Sequence, residues 1–249
     1  MQTSAELNSV ASPAVNCIIH EGVARIAIDD GKGNALSPSL IAQINKALDK
    51  AESAGAIVVI EGREGIFSAG FDLSVLKTGV GAAYTMLIEG FKLARRMLAF
   101  PRPVILVSTG HAIAMGAFLV LSADYRIGLR GDYRYVANEV EIGLTMPHAA
   151  VEICRQRLSN SCFHRAVNLS EVFSPERAVE VGFLDAVASA DELDELLATT
   201  LGRFSSLDSK AHKQTKLRAR QSSLRAIDRA ITRDRIDFVK MGVRRALSL

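Results

Sequence analysis

The stretch Phe-Ser-Ala-Gly-Phe-Asp-Leu at residues 67–73 places small residues where an extended run of sequence gives way to a helical one. Gly-His-Ala-Ile-Ala-Met-Gly-Ala-Phe at residues 110–118 does the same. Junctions of this kind leave backbone N–H groups without partners, and the positive end of a helix dipole lies behind them. Two such groups that converge can hold the negative oxygen of an enolate or a tetrahedral intermediate. The two stretches therefore predict an enzyme that acts on the carbonyl group of a thioester.

Apolar patterns around these junctions predict alternating strands and helices. Two short runs, 15–20 and 23–28, are separated by Glu21-Gly22 and predict a hairpin. Ser37 followed by Pro38 is typical of a helix start, because Ser caps the first turn and Pro fits within it. Further strands are predicted at 57–60, 104–107, 125–127 and 133–136, and helices at about 84–99, 115–122, 148–158, 161–168, 175–182, 191–205 and from about 209 onward.

The order strand, strand, helix recurs through the middle of the chain and predicts an α/β fold. We expect one body up to about residue 195 and a helical C-terminal part at 196–249. The chain has 249 residues, of which 49% are apolar, so it can bury a substantial core as one large domain or a domain with an appendage. No apolar run reaches the roughly 18 residues needed to cross a bilayer.

The N-terminal residues and the cysteines bear on location. Residues 1–13 contain neither Lys nor Arg, so we expect a loose leader rather than a secretory signal or a transit peptide. Cys17, Cys154 and Cys162 lack metal-ligand spacing, and the last two have a separation that suits thiols on helices. We therefore expect reduced thiols in a cytoplasmic protein.

Positive charge is concentrated at the C-terminal end. Residues 210–249 contain 12 Lys/Arg and 3 Asp, a net charge of +9, whereas the whole chain carries +3. A solvated helix face, an acidic surface on another subunit, or a polyanion such as a nucleotide-bearing ligand or a nucleic acid would each explain this segment. Nucleic acid is the least favoured, because Phe238 is the only aromatic residue there that could stack on a base.

Several motifs, in order along the chain, resemble the crotonase (enoyl-CoA hydratase/isomerase) superfamily. They are Asn-Ala-Leu-Ser at 34–37, the two junction stretches, Asn-Glu-Val-Glu-Ile-Gly-Leu-Thr-Met-Pro at 138–147, and residues 174–184. The resemblance covers about residues 15–190. It implies a spiral of strand–strand–helix turns with a C-terminal helical trimerisation region, in trimers that often pair into hexamers. It also implies acyl-CoA substrates, no metal, and no cofactor beyond the coenzyme A of the substrate. Because the chain lacks a long apolar run, we expect no membrane partner.

The resemblance also implies a set of binding residues. The backbone N–H of Phe71, which follows Ala-Gly in the first motif, would be one oxyanion donor, and that of Met115, in the middle of the triplet at 114–116, would be the other. Substrate contacts, largely through the main chain, would fall on these two residues and on Ala35, Ala69, Gly70, Asp72 and Leu73.

One departure from the family pattern favours a particular reaction. Hydratases of this family carry two glutamates, and one of them aligns with Phe118, which cannot transfer protons. The other aligns with Glu139. Addition of water is easiest with two carboxylates, whereas moving a double bond needs only one base. Phe118 would also dry the pocket and raise the pKa of Glu139. We therefore expect conversion of a 3-enoyl-CoA to a 2-enoyl-CoA, with Glu139 as acid and base.

Other roles for these residues and other reactions stay open. Glu139 could instead cap a helix or pair with Arg134, and Glu141 would face the other way in an extended stretch. The same oxyanion hole would serve a hydratase that uses Glu139 with water held by the backbone or His148, a thioester hydrolase or a decarboxylase. A non-catalytic or RNA-binding homologue is the alternative of another class.

Four positions near the motifs, and the basic segment, complete the candidates. We expect His148 to cap the following helix rather than line the pocket, and His111 to hydrogen-bond structurally. Tyr84 and Glu89 follow the first motif on a helix and are further acid or base candidates. Within the basic segment, the candidates for contact with the phosphates of coenzyme A are Lys210, Lys213, Lys216 and Arg218. The coenzyme A could be bound in the same or a neighbouring subunit.

Overall fold

The computed structural model describes residues 13–247, with the side chains at 76, 80 and 239–247 left out. The predicted leader therefore lies outside the described residues, except for Pro13. Nine strands and ten helices form within the described range. The strands are β1 Val15–His20, β2 Val23–Ile28, β3 Ile57–Glu61, β4 Gly65–Ser68, β5 Val104–Ser108, β6 Gly110–Ile113, β7 Tyr125–Leu129, β8 Tyr135–Val136 and β9 Ala186–Ala188. The helices are α1 Pro38–Ser53, α2 Leu73–Thr78, α3 Val80–Ala99, α4 Met115–Leu121, α5 His148–Arg155, α6 Asn160–Leu169, α7 Pro175–Val181, α8 Leu193–Ser205, α9 Ser209–Ala219 and α10 Gln221–Leu247.

The strands form two sheets. The larger has the order β1-β2-β3-β5-β7-β9, and the smaller has the order β4-β6-β8. Only the β1–β2 hairpin is antiparallel among these pairs. From β3 to β8, each strand of the larger sheet is followed by a strand of the smaller one before the chain enters a helix. This confirms the predicted α/β fold with strand–strand–helix units.

The central strands β3 and β5 of the larger sheet are covered on both faces, which explains their continuous apolar sequences. Val58 and Ile60 of β3 face the main core, whereas Val59 faces a second cluster that includes Leu197 of α8. The predicted boundary at residue 195 falls inside α8, and the division into a body and a helical part stays a prediction.

Helix α9 is fastened to the body by a buried ion pair that the sequence analysis did not foresee. Lys216 is 7% exposed, and its Nζ donates to Asp124 Oδ2 at 2.5 Å and to the carbonyl oxygens of Phe100 and Arg102 at 2.9 and 3.2 Å. Arg220 pairs with the other carboxylate oxygen of Asp124 at 2.9 Å. The prediction that Lys216 meets the phosphates of coenzyme A is therefore wrong, because its ammonium group is already satisfied inside the protein.

Several element boundaries differ from their predictions, and two of the differences have local reasons. Strand β8 has only two residues because the preceding residues form a loop, in which the Arg134 N–H donates to His111 Nδ1 at 3.1 Å. Helix α3 begins at Val80, earlier than predicted, directly after Gly79, whose φ of 147° separates it from α2.

Candidate active site

The two junctions touch each other at Gly70. Its φ is +90°, a conformation that favours glycine. A Cβ at this position would lie 2.9 Å from Ala114 Cβ, 3.0 Å from the Ile113 carbonyl oxygen and 3.4 Å from the Met115 backbone nitrogen. Glycine therefore lets the segment after β4 lie directly against the segment between β6 and α4.

The backbone N–H of Phe71 points away from its neighbouring strand segment. Phe71 forms a parallel bridge with Leu36, in which the Leu36 N–H donates to Gly70 O at 2.7 Å and the Asp72 N–H donates to Leu36 O at 3.4 Å. These two bonds flank Phe71, and successive N–H groups of extended backbone point to opposite sides. No hydrogen bond of the described backbone uses the Phe71 N–H.

The second junction is a strained turn that exposes the first N–H groups of α4. Ala114 has φ 51° and ψ −122°, unusual for a residue with a side chain, and its N–H donates to Val136 O of β8 at 2.8 Å. The chain then enters α4 at Met115, whose N–H has no hydrogen-bond partner in the described part of the chain. A Cβ at Gly116 would lie 2.5 Å from Ser68 O, so glycine allows this turn to rest on the end of β4.

The other predicted binding residues are gathered around the first junction. The Ala69 N–H donates to Gly33 O at 2.8 Å, and the Ala35 N–H donates to Asp30 Oδ2 at 3.2 Å. Asp72 caps α2 by accepting from the Ser74 N–H at 2.8 Å and from its hydroxyl at 2.6 Å, and these bonds lower the pKa of Asp72. Leu73 opens α2 and is exposed.

Asn34 is a structural residue of this region to which the sequence analysis gave no role. It is fully buried with φ 49°, and its Nδ2 donates to Ile28 O at 2.9 Å and to Phe67 O at 3.1 Å. Ser68 Oγ donates to Asn34 O at 2.8 Å. These contacts tie the segment that contains Ala35 to the end of β4. The one feature of the sequence that could have indicated this role is the side-chain amide of Asn34, which can join two strands by hydrogen bonds.

Glu139 is buried and its carboxylate is incompletely hydrogen-bonded. It lies in the turn that follows β8, it is 7% exposed, and its Oε2 has no hydrogen-bond partner among the described residues. Burial raises its pKa to about 7. Glu139 lies in a turn and not at the start of a helix, and among the described residues its Oε2 has no partner, Arg134 included, so neither structural alternative is supported. A carboxyl group with this pKa can both take and return a proton near neutral pH.

Aromatic rings form an apolar layer beside the junctions. Phe118 is fully buried on α4, and its ring centroid is 6.3 Å from that of Phe91. Phe91 in turn meets the ring of Phe71 edge-on at 6.0 Å. The ring of Phe71 rests on Gly90 of α3, where a Cβ would lie 2.5 Å from Phe71 Cε1. Phe118, which the resemblance aligns with a second glutamate of hydratases, is thus part of a buried aromatic cluster.

His148 does not cap α5. It is the first residue of that helix, its Nε2 lies 3.4 Å from Asp237 Oδ2, and its backbone N–H donates to Asp234 Oδ1 at 2.7 Å. The residue before it, Pro147, stands at the N-cap and has no side-chain acceptor. The cap is instead supplied from α10, so the prediction for His148 is wrong.

The remaining candidates have structural contacts. His111 accepts from the Arg134 N–H, as expected. Glu89 pairs with Lys92 at 2.8 Å on the surface of α3. The ring of Tyr84 packs on Phe238 with centroids 6.2 Å apart. Glu141 is exposed.

The described part of residues 13–247 contains neither a candidate metal site nor a candidate membrane span. No group of three or more His, Cys, Asp or Glu side chains is placed there to hold a metal ion. None of the helices described is both long and apolar enough to span a bilayer. Cys154 and Cys162 lie on helices as buried free thiols, as predicted.

Comparisons with known proteins agree with this fold and identify similar proteins. The family model described as enoyl-CoA hydratase/isomerase matches residues 18–242. The peroxisomal enoyl-CoA delta isomerase 2 of Arabidopsis thaliana is 33% identical over 173 residues, which cover 65% of this chain and 72% of the relative. A solved enoyl-CoA hydratase/isomerase family protein from Pseudomonas syringae is 45% identical with a TM-score of 0.87, covering 89% of this chain and 96% of the other. A solved enoyl-CoA hydratase from Mycobacterium marinum is 38% identical with a TM-score of 0.86, covering 90% and 99%.

The two sheets, the strand–strand–helix units and the C-terminal helices are those of the crotonase fold. The match extends over most of the sequence and includes both junctions and Glu139. The chain belongs to the enoyl-CoA hydratase/isomerase family. Its similar proteins are named both as isomerases and as hydratases, which supports an enzyme of this family acting on CoA thioesters.

Proposed function

We propose that the protein converts a 3-enoyl-CoA to a 2-enoyl-CoA. The observation that carries this proposal is the buried, incompletely bonded carboxylate of Glu139 in a chain whose second glutamate position is taken by Phe118. Phe118 can neither activate water nor donate a proton. A single carboxylate is sufficient for a reaction in which one proton leaves a carbon atom and a proton returns to another.

In the proposed mechanism, the backbone N–H groups of Phe71 and Met115 donate to the thioester oxygen. Ionised Glu139 removes a proton from C2, and the electron pair of that bond forms a dienolate whose negative charge lies on the thioester oxygen. The two N–H groups stabilise this charge because they are fixed before the reaction. Glu139 then returns the proton to C4, and the double bond is left between C2 and C3, conjugated with the carbonyl.

Substrate binding is proposed to use the main chain near the first junction. Ala35, Ala69, Gly70, Asp72 and Leu73 would contact the coenzyme A part of the substrate. The hydrogen bonds of Asn34 and Asp72 support this proposal, because they hold these backbone segments in place before the substrate arrives.

The test is ultraviolet absorbance of the protein mixed with 3-hexenoyl-CoA and, separately, with 2-hexenoyl-CoA. Wild-type protein should generate the conjugated 2-enoyl product from the first substrate and leave the second unhydrated. Glu139→Gln should stop the reaction, since it keeps the size of the side chain and removes the base. Glu141→Gln is the matched control, because Glu141 is exposed two residues away, and it should retain wild-type activity.

Hydration is the second candidate, favoured by the similarity to the solved hydratase from Mycobacterium marinum. Loss of the conjugated absorbance of 2-hexenoyl-CoA would show that the protein adds water without a second glutamate. Retention of activity by Glu139→Gln would contradict the role proposed for this residue in either reaction.

A further inference from the structure

The segment that carries Glu139 is fastened at its far end by a residue from the C-terminal helix. We call residues 137–147 the Glu139 loop; it leads from β8 to α5. Asp234 of α10 is 4% exposed, and its two carboxylate oxygens accept from the N–H groups of His148 at 2.7 Å and Ala149 at 2.9 Å. These are the first two residues of α5. Helix starts need such acceptors, and Pro147 at the N-cap supplies none from its side chain.

We propose that Asp234 is a positioning residue for Glu139, an inference that rests on the function proposed for that glutamate. The link runs through the backbone of the Glu139 loop. The Leu144 N–H donates to the carbonyl oxygen of Glu139 at 2.8 Å, so the downstream half of the loop holds the glutamate backbone directly. That half ends at the α5 turn which Asp234 caps. Asp234 thus fixes the loop through α5, without contact with the substrate.

At the downstream end of the loop, Met146 packs on the main core and the Asp234 cap follows directly. Among the described residues, the other hydrogen bonds that the loop donates lie within it or reach Ser170. The Ile142 N–H donates to Asn138 O at 3.2 Å, a bond within the loop itself. The Glu141 N–H donates to Ser170 Oγ at 3.2 Å, and Ser170 follows α6. A buried carboxylate that accepts two N–H bonds at a helix start is a stronger restraint than one neutral hydroxyl, because its charge also favours the positive end of the helix dipole.

Helix α10 also carries an ion pair with α3, and this pair is exposed. Asp228 of α10 binds Arg95 of α3 through both carboxylate oxygens, at 2.9 and 3.1 Å. Asp234 is the buried polar contact of α10 with α5, and Asp228 is an exposed carboxylate on the same helix.

The experiment compares three variants of the full chain with 3-hexenoyl-CoA. Asp234→Ala removes both acceptors, Asp234→Asn keeps the shape and one acceptor oxygen, and Asp228→Asn is a control on the same helix whose ion pair is exposed. A shift of about 1 Å in a catalytic group can lower a rate by a large factor. We expect kcat to fall by at least about 10-fold in Asp234→Ala, with KM within about 2-fold of wild type, and an intermediate kcat in Asp234→Asn. Asp228→Asn should keep both constants.

Two results would overturn the proposal. One is a kcat of folded Asp234→Ala equal to that of wild type. The other is an equal fall in Asp228→Asn, which would mean that any loosening of α10 has the same effect. If Asp234→Ala does not yield folded protein, Asp234→Asn decides, and a kcat equal to that of wild type in this variant also overturns the proposal.

Hydrogen exchange tests the same inference without the reaction, so it separates this proposal from the proposed function. The amides of Ile142, Leu144 and Ala149 should exchange faster in Asp234→Asn than in wild type, and Asp228→Asn should leave them unchanged. If wild-type protein does not isomerise 3-hexenoyl-CoA, the proposed function fails while this readout still applies. Unchanged exchange at all three amides in Asp234→Asn would show that Asp234 does not hold the loop.

Discussion

A buried carboxyl group is difficult to ionise when one of its oxygen atoms lacks a hydrogen-bond partner. Glu139 is such a group. Burial raises its pKa from 4.5 to about 7. The folded state therefore holds a proton more tightly than the unfolded state, and the resulting stability is complete below about pH 4.5 and is lost as the pH rises through 7. A glutamate that is ionised and can act as a base near neutral pH therefore lowers the stability of the folded protein at that pH.

This linkage predicts a pH-dependent gain of stability in Glu139→Gln. The glutamine is neutral at every pH, so the variant avoids the cost of a buried charge. One pKa unit corresponds to about 1.4 kcal/mol, so the free energy of unfolding of the variant should rise relative to wild type by roughly 2 kcal/mol between pH 5 and pH 8. Urea unfolding at the two pH values measures this difference. Exposed Glu141→Gln should show no such trend, and a difference that does not change with pH would contradict the assignment of the raised pKa to Glu139.

Among the elements, helix α3 contacts the first junction at Gly90, a position that has no side chain. A Cβ at Gly90 would lie 2.5 Å from Phe71 Cε1 and 2.7 Å from Phe71 Cζ. Gly81, on the same helix, has nothing within 4 Å of its own added Cβ. Replacing glycine by alanine stabilises a helix by up to about 1 kcal/mol at either position. Only the contact with Phe71 therefore distinguishes the two substitutions.

We therefore expect opposite outcomes for Gly90→Ala and Gly81→Ala. Gly81→Ala should unfold at the same or a higher urea concentration than wild type and keep its activity. Gly90→Ala should lose about 1–3 kcal/mol through overpacking, and its kcat/KM should fall about 10-fold, because the displaced ring moves the backbone of Phe71. Urea unfolding and kcat/KM for 3-hexenoyl-CoA give both values. Equal behaviour of the two variants would mean that the ring of Phe71 moves aside without disturbing the proposed donor.

The elements also show which features a sequence can predict. The hairpin at Glu21-Gly22 and the start of α1 at Ser37-Pro38 were predicted because each depends on residues adjacent in the chain. The two junctions were predicted because small residues mark them locally. The cap from Asp234 was not, since its partners lie more than 80 residues away, at His148 and Ala149. A polar residue on a long helix gives no sign of which distant N–H groups it will meet.

On the scale of the whole molecule, the fold neutralises part of the basic C-terminal segment. Lys216 and Arg220 face Asp124 in the body. Phe238, the one residue of the segment named as able to stack on a base, packs on Tyr84 with ring centroids 6.2 Å apart. Lys210, Lys213 and Arg218 are exposed and stay the candidates for binding the phosphates of coenzyme A. Trimer formation through this segment also stays a prediction.

The contact of Lys216 with Asp124 predicts that α9 contributes to stability through this lysine and not through its exposed neighbours. Lys216→Ala leaves the partly buried carboxylate of Asp124 and two carbonyl oxygens with fewer donors. Removing one partner of a buried ion pair costs about 3–5 kcal/mol, whereas Lys213→Ala on the exposed face should change stability by less than about 0.5 kcal/mol. Urea unfolding distinguishes the two variants. A raised KM for the acyl-CoA substrate in Lys216→Ala, with unchanged stability, would instead restore the phosphate-binding role, because it would mean that the ammonium group serves the ligand and not the fold.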